Sequence, residues 1–227
     1  MRTVALIPAY NAAGTIGEVV KRTLSFVDKV IVVNDGSTDA TAKEAEHQGA
    51  EVLSIGKNTG KANAIRTGLR KCHGFDAVVL LDADLQHCPE EIPRLLEEIK
   101  NGADLCIGSR FLNGKVKMPL GNRFSNSTAG RIISFLSGQR LTDPQSGFRA
   151  LNGKMAISLE LRAERYAIEH IMILEAARRG LRIGEVPTSC VYGYETSSVR
   201  PVRDTLRVMY HILRFLLGRG GSDSIHR

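Results

Sequence analysis

Short apolar runs rich in β-branched residues alternate with amphipathic segments through the first hundred residues of the chain. Apolar runs bounded by turn residues predict buried strands, and apolar positions three and four apart predict helices. The pattern predicts strands at residues 3–7, 29–33, 51–55, 77–81 and 104–107, and helices at 15–26, 39–48, 61–70 and 89–100. This alternation favours an α/β domain with a mainly parallel sheet and flanking crossover helices.

The pattern is less regular after residue 110, where a short strand is predicted at 182–186 and helices at 123–137, 167–179 and 203–217. No internal repeat or interior linker divides the chain. We therefore expect one domain over residues 1–200, an amphipathic C-terminal helix over 201–218, and a flexible tail over 219–227 with the composition of a linker.

Composition narrows the class of protein. The chain has 227 residues, four scattered cysteines and a net charge of +7, which favours a reducing cytosolic setting and an anionic partner. No run reaches the roughly 18 apolar residues of a membrane-spanning helix, and the N-terminus does not resemble a signal peptide. A nucleic-acid partner is not expected, because no recognition module or interleaved aromatic residues accompany the charge. A solvated basic face is the alternative.

An acidic pair, Asp82 and Asp84, directly follows the fourth predicted strand. Side chains two residues apart in extended chain point the same way, so both carboxylates should project from the strand's carboxyl end. Hard divalent cations such as Mg²⁺ prefer such oxygen ligands, and the pair therefore predicts a metal site. An N-cap or turn before the helix near Pro89 would need only one of the two acids.

A further acid, Asp35, lies just after the second predicted strand and precedes Gly36-Ser37. A carboxylate in a strand-to-helix turn of this kind can receive a nucleoside, and ligands of parallel α/β sheets bind at these strand ends. The same residues also form an ordinary turn with a good N-cap.

Six motifs in chain order resemble family 2 glycosyltransferases of the GT-A fold, a Rossmann-like nucleotide-sugar-binding fold. They lie at residues 7–11, 34–39, 58–61, 82–87, 108–111 and 146–149. The Asp-Ala-Asp-Leu-Gln-His and Ser-Gly-Phe-Arg strings are most similar to the dolichyl-phosphate mannose synthase and polyprenyl-phosphate glycosyltransferase branch. The resemblance covers about residues 3–200.

The resemblance implies a role for each matching residue. It implies a nucleotide-sugar site at Pro8, Ala9, Tyr10, Asp35, Lys61 and Asp82, phosphate or acceptor contacts at Arg110, Arg123, Arg149 and Arg200, and Mg²⁺ or Mn²⁺ held by Asp82, Asp84 and Gln86. Asp84, Arg110 and Asp143 are the expected catalytic residues. The open alternatives are a surface turn amide for Gln86, a solvated lysine for Lys61, and a structural turn around Asp143 and Arg149.

Three positions depart from the family pattern. Ala12 stands where relatives usually carry Glu, Asn34-Asp35 offers one acid where two are common, and Cys88 replaces a common proline. The first two changes affect the expected nucleoside pocket and leave the base undetermined, whereas the metal site is unaffected.

The implied reaction is metal-dependent, inverting transfer of a hexose, mannose or glucose, from a GDP- or UDP-sugar to a polyprenyl or dolichyl phosphate. A phosphate acceptor is already anionic, because its second pKa is about 6. A hydroxyl acceptor is one alternative and would require a base, with Asp143 and Glu169 as candidates. A nucleotide-sugar-binding subunit without turnover is the other.

The predicted C-terminal helix has basic residues on one face and apolar residues on the other. These are Arg203, Arg207, His211 and Arg214, opposite Leu206, Met209, Leu213 and Leu216. Such a helix can lie in a membrane interface or simply pack on the core. Residues 132–136 offer a second apolar edge. We expect a peripheral enzyme on the cytoplasmic face of a membrane, with a membrane-anchoring partner as one means of attachment.

Overall fold

The computed structural model describes residues 1–112, 130, 132–159 and 168–190, which form a sheet of seven strands with helices on both faces. The strands are β1 (Thr3–Ala9), β2 (Lys29–Asp35), β3 (Glu51–Ile55), β4 (Ala77–Leu80), β5 (Leu105–Ser109), β6 (Arg149–Asn152) and β7 (Ile183–Pro187). The helices are α1 (Ile16–Thr23), α2 (Thr41–His47), α3 (Lys61–Leu69), α4 (Ile92–Lys100), α5 (residues 132–137), α6 (Gly153–Ser158) and α7 (Ile168–Arg178).

The strand order is β3-β2-β1-β4-β6-β5-β7. Strands β1 to β4 are mutually parallel, and β5 is parallel to β7. Strand β6 lies between β4 and β5 and is antiparallel to both. The amino end of β6 therefore lies at the same edge of the sheet as the carboxyl ends of its neighbours.

Two apolar layers cover the sheet because successive strand residues point to opposite faces. In β1, Val4 and Leu6 face the layer formed with α3, α6 and α7, whereas Ala5 and Ile7 face the layer formed with α1, α2 and α4. These four side chains are fully buried. The double-sided burial explains why the central strands are almost continuously apolar.

The predicted α/β pattern is confirmed, and the differences lie at element ends and after residue 110. Strands β1 and β2 each extend two residues past their predicted ends, which places Ala9 and Asp35 within the sheet. The segment predicted as one helix from residue 89 begins with a 3₁₀ turn, Pro89–Glu91. Neither β6 nor α6 was predicted, because Arg149 and Asn152 leave only two apolar residues in β6.

Within the described ranges, no helix combines the length and apolar character needed to cross a bilayer. The predicted C-terminal helix at 201–218, the tail at 219–227 and the domain boundary at residue 200 lie outside the described residues.

Candidate active site

One edge of the sheet collects the polar motifs. The carboxyl ends of β1, β2, β4 and β5 meet there, together with the amino end of the antiparallel β6. Ligands of open α/β sheets bind at this edge because loops leave the strands there and expose backbone and side-chain polar groups. The sequence-predicted residues from Pro8 to Asp84 are brought to this edge by β1, β2, α3 and β4.

A cavity of about 360 Å³ opens between the ends of β1 and β2 and the start of α3. Its lining comprises Pro8, Ala9, Tyr10, Asp35, Asn58, Gly60, Lys61 and Ala64. Tyr10 is 48% exposed and offers an aromatic surface for a planar ring. The volume and the mixture of apolar and polar walls are typical of a small-molecule site.

Asp35 is 4% exposed and holds the loop before α3. Its Oδ1 accepts hydrogen bonds from the Thr59 amide at 2.9 Å and the Thr59 hydroxyl at 2.7 Å, and its Oδ2 accepts one from the Gly60 amide at 2.7 Å. Gly36, at φ 73°, permits this approach, because a Cβ there would lie 2.5 Å from the carbonyl carbon of Lys57. The carboxylate thus both lines the cavity and fixes one wall of it.

Lys61 connects the acidic motif after β4 to α7. Its Nζ lies 2.6 Å from Asp82 Oδ1 and 3.0 Å from Glu169 Oε1. Burial alone would lower the pKa of the Lys61 ammonium, but the two carboxylates outweigh that effect and raise the pKa. Burial likewise acts to raise the pKa of Asp82, and the charge of Lys61 reverses this and lowers it. Lys61 is therefore a partly buried cation paired with two carboxylates, rather than a fully solvated helix-start lysine.

Gly147 fits closely against this ion pair. A Cβ at Gly147 would lie 2.7 Å from Asp82 Oδ2 and 3.1 Å from Lys61 Nζ. The glycine of the Ser-Gly-Phe-Arg string is therefore required by the packing of the loop before β6 on Asp82.

The loop after β4 turns sharply at Leu85, which has a φ of 63°. The backbone N–H of Gln86 donates to Asp84 Oδ1 at 3.0 Å, and the backbone N–H of Asp82 donates to His87 Nδ1 at 3.2 Å. Burial lowers the pKa of His87, although the nearby Asp82 and Asp84 oppose it. The His87 ring stacks on Phe148 with 5.1 Å between centroids, which ties this loop to the amino end of β6.

The chemistry of this donor set fits a divalent cation. Asp82, Asp84 and Gln86 supply carboxylate and amide oxygens, the ligands of Mg²⁺ and Mn²⁺. In the described part of the chain, no group of three or more acids, histidines or cysteines is arranged to hold a metal. Mg²⁺ commonly takes one or two protein carboxylates and completes its shell with waters and substrate phosphates.

Arg110 is held by Asp143 at the end of β5. Its Nε and Nη2 lie 2.6 and 2.9 Å from the two carboxylate oxygens, and its backbone amide donates to the same group at 3.1 Å. Glu185 of β7 accepts from the amides of Thr142 and Asp143, at 2.9 to 3.0 Å from the nearest oxygens. Asp143 is 1% exposed, so its placement supports orientation of Arg110 and not the proton-accepting role considered from the sequence.

The structure places the Arg149 side chain inside the protein, in contact with backbone carbonyls. Arg149 is 0% exposed and donates to the carbonyl oxygens of Pro144, Ser146 and Glu169, each at 2.7 Å. Burial lowers its pKa to about 10, so the guanidinium stays charged at neutral pH. It fastens the loop before β6 to the first turn of α7, as the structural-turn alternative implied.

The family model for glycosyl transferase family 2 matches residues 4–156. The chain belongs to glycosyl transferase family 2. A UDP-N-acetylglucosamine–dolichyl-phosphate N-acetylglucosaminyltransferase of Methanococcus voltae is 32% identical over 240 residues, covering 94% of this chain and 96% of the relative. An undecaprenyl-phosphate mannosyltransferase of Micrococcus luteus is 32% identical and covers 84% of each chain. The resemblance to the polyprenyl-phosphate branch is confirmed.

The fold of this family 2 glycosyltransferase is that of solved GT-A enzymes. Glucosyl-3-phosphoglycerate synthase of Mycobacterium tuberculosis, solved with UDP, aligns at a TM-score of 0.71 and 24% identity, over 98% of this chain and 82% of that chain. The same enzyme solved with Mn²⁺ and UDP-glucose aligns with a TM-score of 0.71, 24% identity and 80% of its chain. The GT-A expectation is confirmed.

Two expected site residues of the glycosyltransferase, Arg123 and Arg200, lie outside the described residues. Conversely, Thr59, Gly147 and Glu185 take part in the site's architecture but were not predicted. Gly147 lies in the Ser-Gly-Phe-Arg motif, so the sequence indicated its position but not the close packing that requires a glycine there. Glu185 carries no local signal, because its partners are more than 40 residues away in the chain.

Proposed function

We propose that the protein transfers a hexose, mannose or glucose, from a nucleotide diphosphate sugar to a polyprenyl phosphate with inversion at the sugar C1 carbon. One observation carries the proposal. The cavity beside Tyr10 and Asp35 is continuous in its lining with Lys61, whose ammonium contacts Asp82 of the acidic loop. A nucleoside in the cavity would thus direct its diphosphate toward Asp84 and Gln86.

A divalent cation bound by Asp84 and Gln86, with Asp82 beside them, would offset the negative charge that grows on the leaving diphosphate. Lys61 would hold Asp82 in place. Arg110 would present its guanidinium to phosphate oxygens, since Asp143 and Glu185 fix its orientation. Direct displacement by an acceptor phosphate oxygen forms the new C1–O bond as the bond to the diphosphate breaks.

The ion pairs of Asp143 and Glu169 favour a phosphate acceptor over a hydroxyl acceptor. A hydroxyl acceptor would need a base within hydrogen-bond reach. Of the two candidates, Asp143 is bound by Arg110 and Glu169 by Lys61. A phosphomonoester needs no such base, because most of it is already dianionic at pH 7. The names of the Methanococcus and Micrococcus relatives support the same acceptor class.

A lipid acceptor implies work at a membrane surface, and we propose peripheral attachment on the cytoplasmic face. The net charge of +7 favours an anionic surface. Phe135 on α5, at 85% exposure, is an apolar side chain presented to the surroundings. The predicted helix at 201–218 and a membrane-anchoring partner are further means of attachment under this proposal.

A transfer assay in detergent tests the proposal. Radiolabelled GDP- and UDP-sugars would be offered with and without a polyprenyl phosphate and with Mg²⁺, Mn²⁺ or a chelator. We expect label in the lipid phase only when metal and acceptor are both present, and about a hundredfold less with Asp84→Asn. Glu97→Gln, an exposed acid on α4 that pairs only with Lys100 among the described residues, is the matched control and should keep full activity.

The outcomes separate the rival functions. Donor hydrolysis without labelled lipid would contradict the lipid acceptor and favour a hydroxyl acceptor. Lipid labelling that persists in chelator would contradict the metal requirement.

A further inference from the structure

Asp35 has little hydrogen-bonding capacity left for a ligand. A carboxylate offers about four acceptor positions, two on each oxygen. The Thr59 amide and hydroxyl occupy both positions on Oδ1, and the Gly60 amide occupies one on Oδ2. One acceptor position on Oδ2 is therefore left for a base that enters the cavity.

Nucleobases differ in how many donors they present to a carboxylate. The Watson–Crick edge of guanine presents two adjacent N–H donors, which pair best with both oxygens of one carboxylate. Uracil presents one N–H donor between two carbonyl oxygens. A carboxylate with one open position matches uracil, whereas guanine would keep a buried N–H without a partner, which is costly.

The Thr59 hydroxyl is fixed in this arrangement. Its oxygen accepts a hydrogen bond from Asn63 Nδ2 at 2.8 Å, so its proton is directed to Asp35 at 2.7 Å. Gly60 directly precedes α3. Gly36 packs closely against Lys57, which positions the loop that leads to Gly60. Among the described residues, the cavity lining includes Asn58 and Gly60 but not Thr59. The Thr59 hydroxyl is therefore linked to the cavity through its bond to Asp35.

We propose that the donor is a uridine diphosphate sugar and that Thr59 determines this specificity by saturating Oδ1 of Asp35. The inference rests on the proposed function, because it concerns the base of the same donor. It also accounts for the single acid at this position: with Oδ1 filled, Asp35 can accept one N–H.

The test compares UDP with GDP, which share the diphosphate and differ in the base. Dissociation constants would be measured by titration calorimetry with Mg²⁺ present, for the wild type, Thr59→Val and Thr59→Ser. We expect wild type to bind UDP about tenfold or more tightly than GDP. Thr59→Val removes the hydroxyl donor while keeping the branched shape, so the UDP:GDP preference should fall by about fivefold or more. Thr59→Ser keeps the donor and should keep the preference.

The failures are distinguishable. Equal or tighter binding of GDP by the wild type would overturn the uridine assignment and leave the glycosyltransferase proposal standing. An unchanged preference in Thr59→Val would overturn the role of Thr59. If neither nucleotide binds, the proposed donor site fails, and this inference fails with it.

Discussion

The cavity at the ends of β1 and β2 and the loop that precedes β6 both contain charged residues of the recognised motifs, but the two regions differ in how far they open to the surroundings. In the cavity lining, Tyr10 is half exposed, and the buried Asp35 keeps one acceptor position without a protein partner. Asp143 in the loop and Arg149 at the start of β6 are buried, and Arg149 has each of its three nitrogens bonded to a carbonyl oxygen of the protein. Charge and motif membership therefore do not distinguish side chains that line the cavity from side chains that only hold the protein together. For Arg149, the three bonds from its nitrogens to protein carbonyl oxygens indicate a structural role.

The difference follows from how the two regions are built. The cavity lies where parallel strands end and their loops diverge, so backbone and side chains face open space. The loop before β6 enters the sheet against the direction of its neighbours and is covered by α7. A charged side chain in that position must find partners inside the protein, because burial without them is costly.

The largest effect is expected for Arg149→Met. The change leaves the carbonyl oxygens of Pro144, Ser146 and Glu169 buried without their donor, and we expect a loss of about 4 kcal/mol in the free energy of unfolding. Urea unfolding measures it. Arg149→Lys should lose less, since an ammonium satisfies part of the set. Full stability with a raised KM for donor or acceptor would instead restore Arg149 as a ligand contact.

The next effect concerns His170, the neighbour of Glu169 on α7, which is 3% exposed. Neither ring nitrogen has a hydrogen-bond partner within the described structure. Burial lowers its pKa from 6.5 to about 4, with Arg149 adding to the shift and Glu169 opposing it. The unfolded chain therefore binds a proton more readily than the folded protein between these values.

Stability should accordingly decrease as the pH falls from about 6.5 to about 4, by about 3 kcal/mol in total. His170→Leu removes this titration, so the difference in unfolding free energy between variant and wild type should change by that amount across the window. Urea unfolding at several pH values from 7.5 to 4 is the measurement. Parallel curves for the two proteins would show that His170 does not carry the effect.

A third effect tests the connection between the two regions, because Lys61 lines the cavity and also binds Glu169 of α7. Lys61→Met leaves the Asp82 and Glu169 carboxylates without their shared cation. We expect kcat/KM to fall by about a hundredfold, since an uncompensated Asp82 would repel the diphosphate. Lys100→Met, at an exposed lysine on α4, is the control. Activity of Lys61→Met within twofold of wild type would show that the link between the cavity and α7 through Lys61 is not needed for activity.

Sequence analysis anticipated the parts of the fold that local patterns determine. The alternating apolar residues of β1 and β2 face two apolar layers and are visible in any short window of sequence. The position of Asp82 and Asp84 beyond a strand's carboxyl end was also predictable locally, because the apolar run of β4 ends just before them, with only Leu81 between.

The features that the sequence did not reveal lie where distant segments define the environment. Arg149 is buried by a loop three to five residues before it and by α7, 20 residues after it. Strand β6 is too short to show a period, and its place between β4 and β5 follows from the assembled sheet. Glu185 depends on partners in another segment for its role. Local sequence patterns cannot identify these contacts, because the burial of a side chain depends on the whole fold.

The smallest effect, at Asp143, separates orientation of Arg110 from proton transfer. Asp143→Asn keeps one carbonyl acceptor for the guanidinium and removes the charge, so we expect kcat/KM to fall by about tenfold, mostly through a higher donor KM. The dependence of kcat on pH should keep its wild-type form. A general base would contribute about 10²- to 10⁴-fold, and its removal would lower kcat and change the pH profile. The latter result would place Asp143 among the reacting groups and move the acceptor from a phosphate to a hydroxyl.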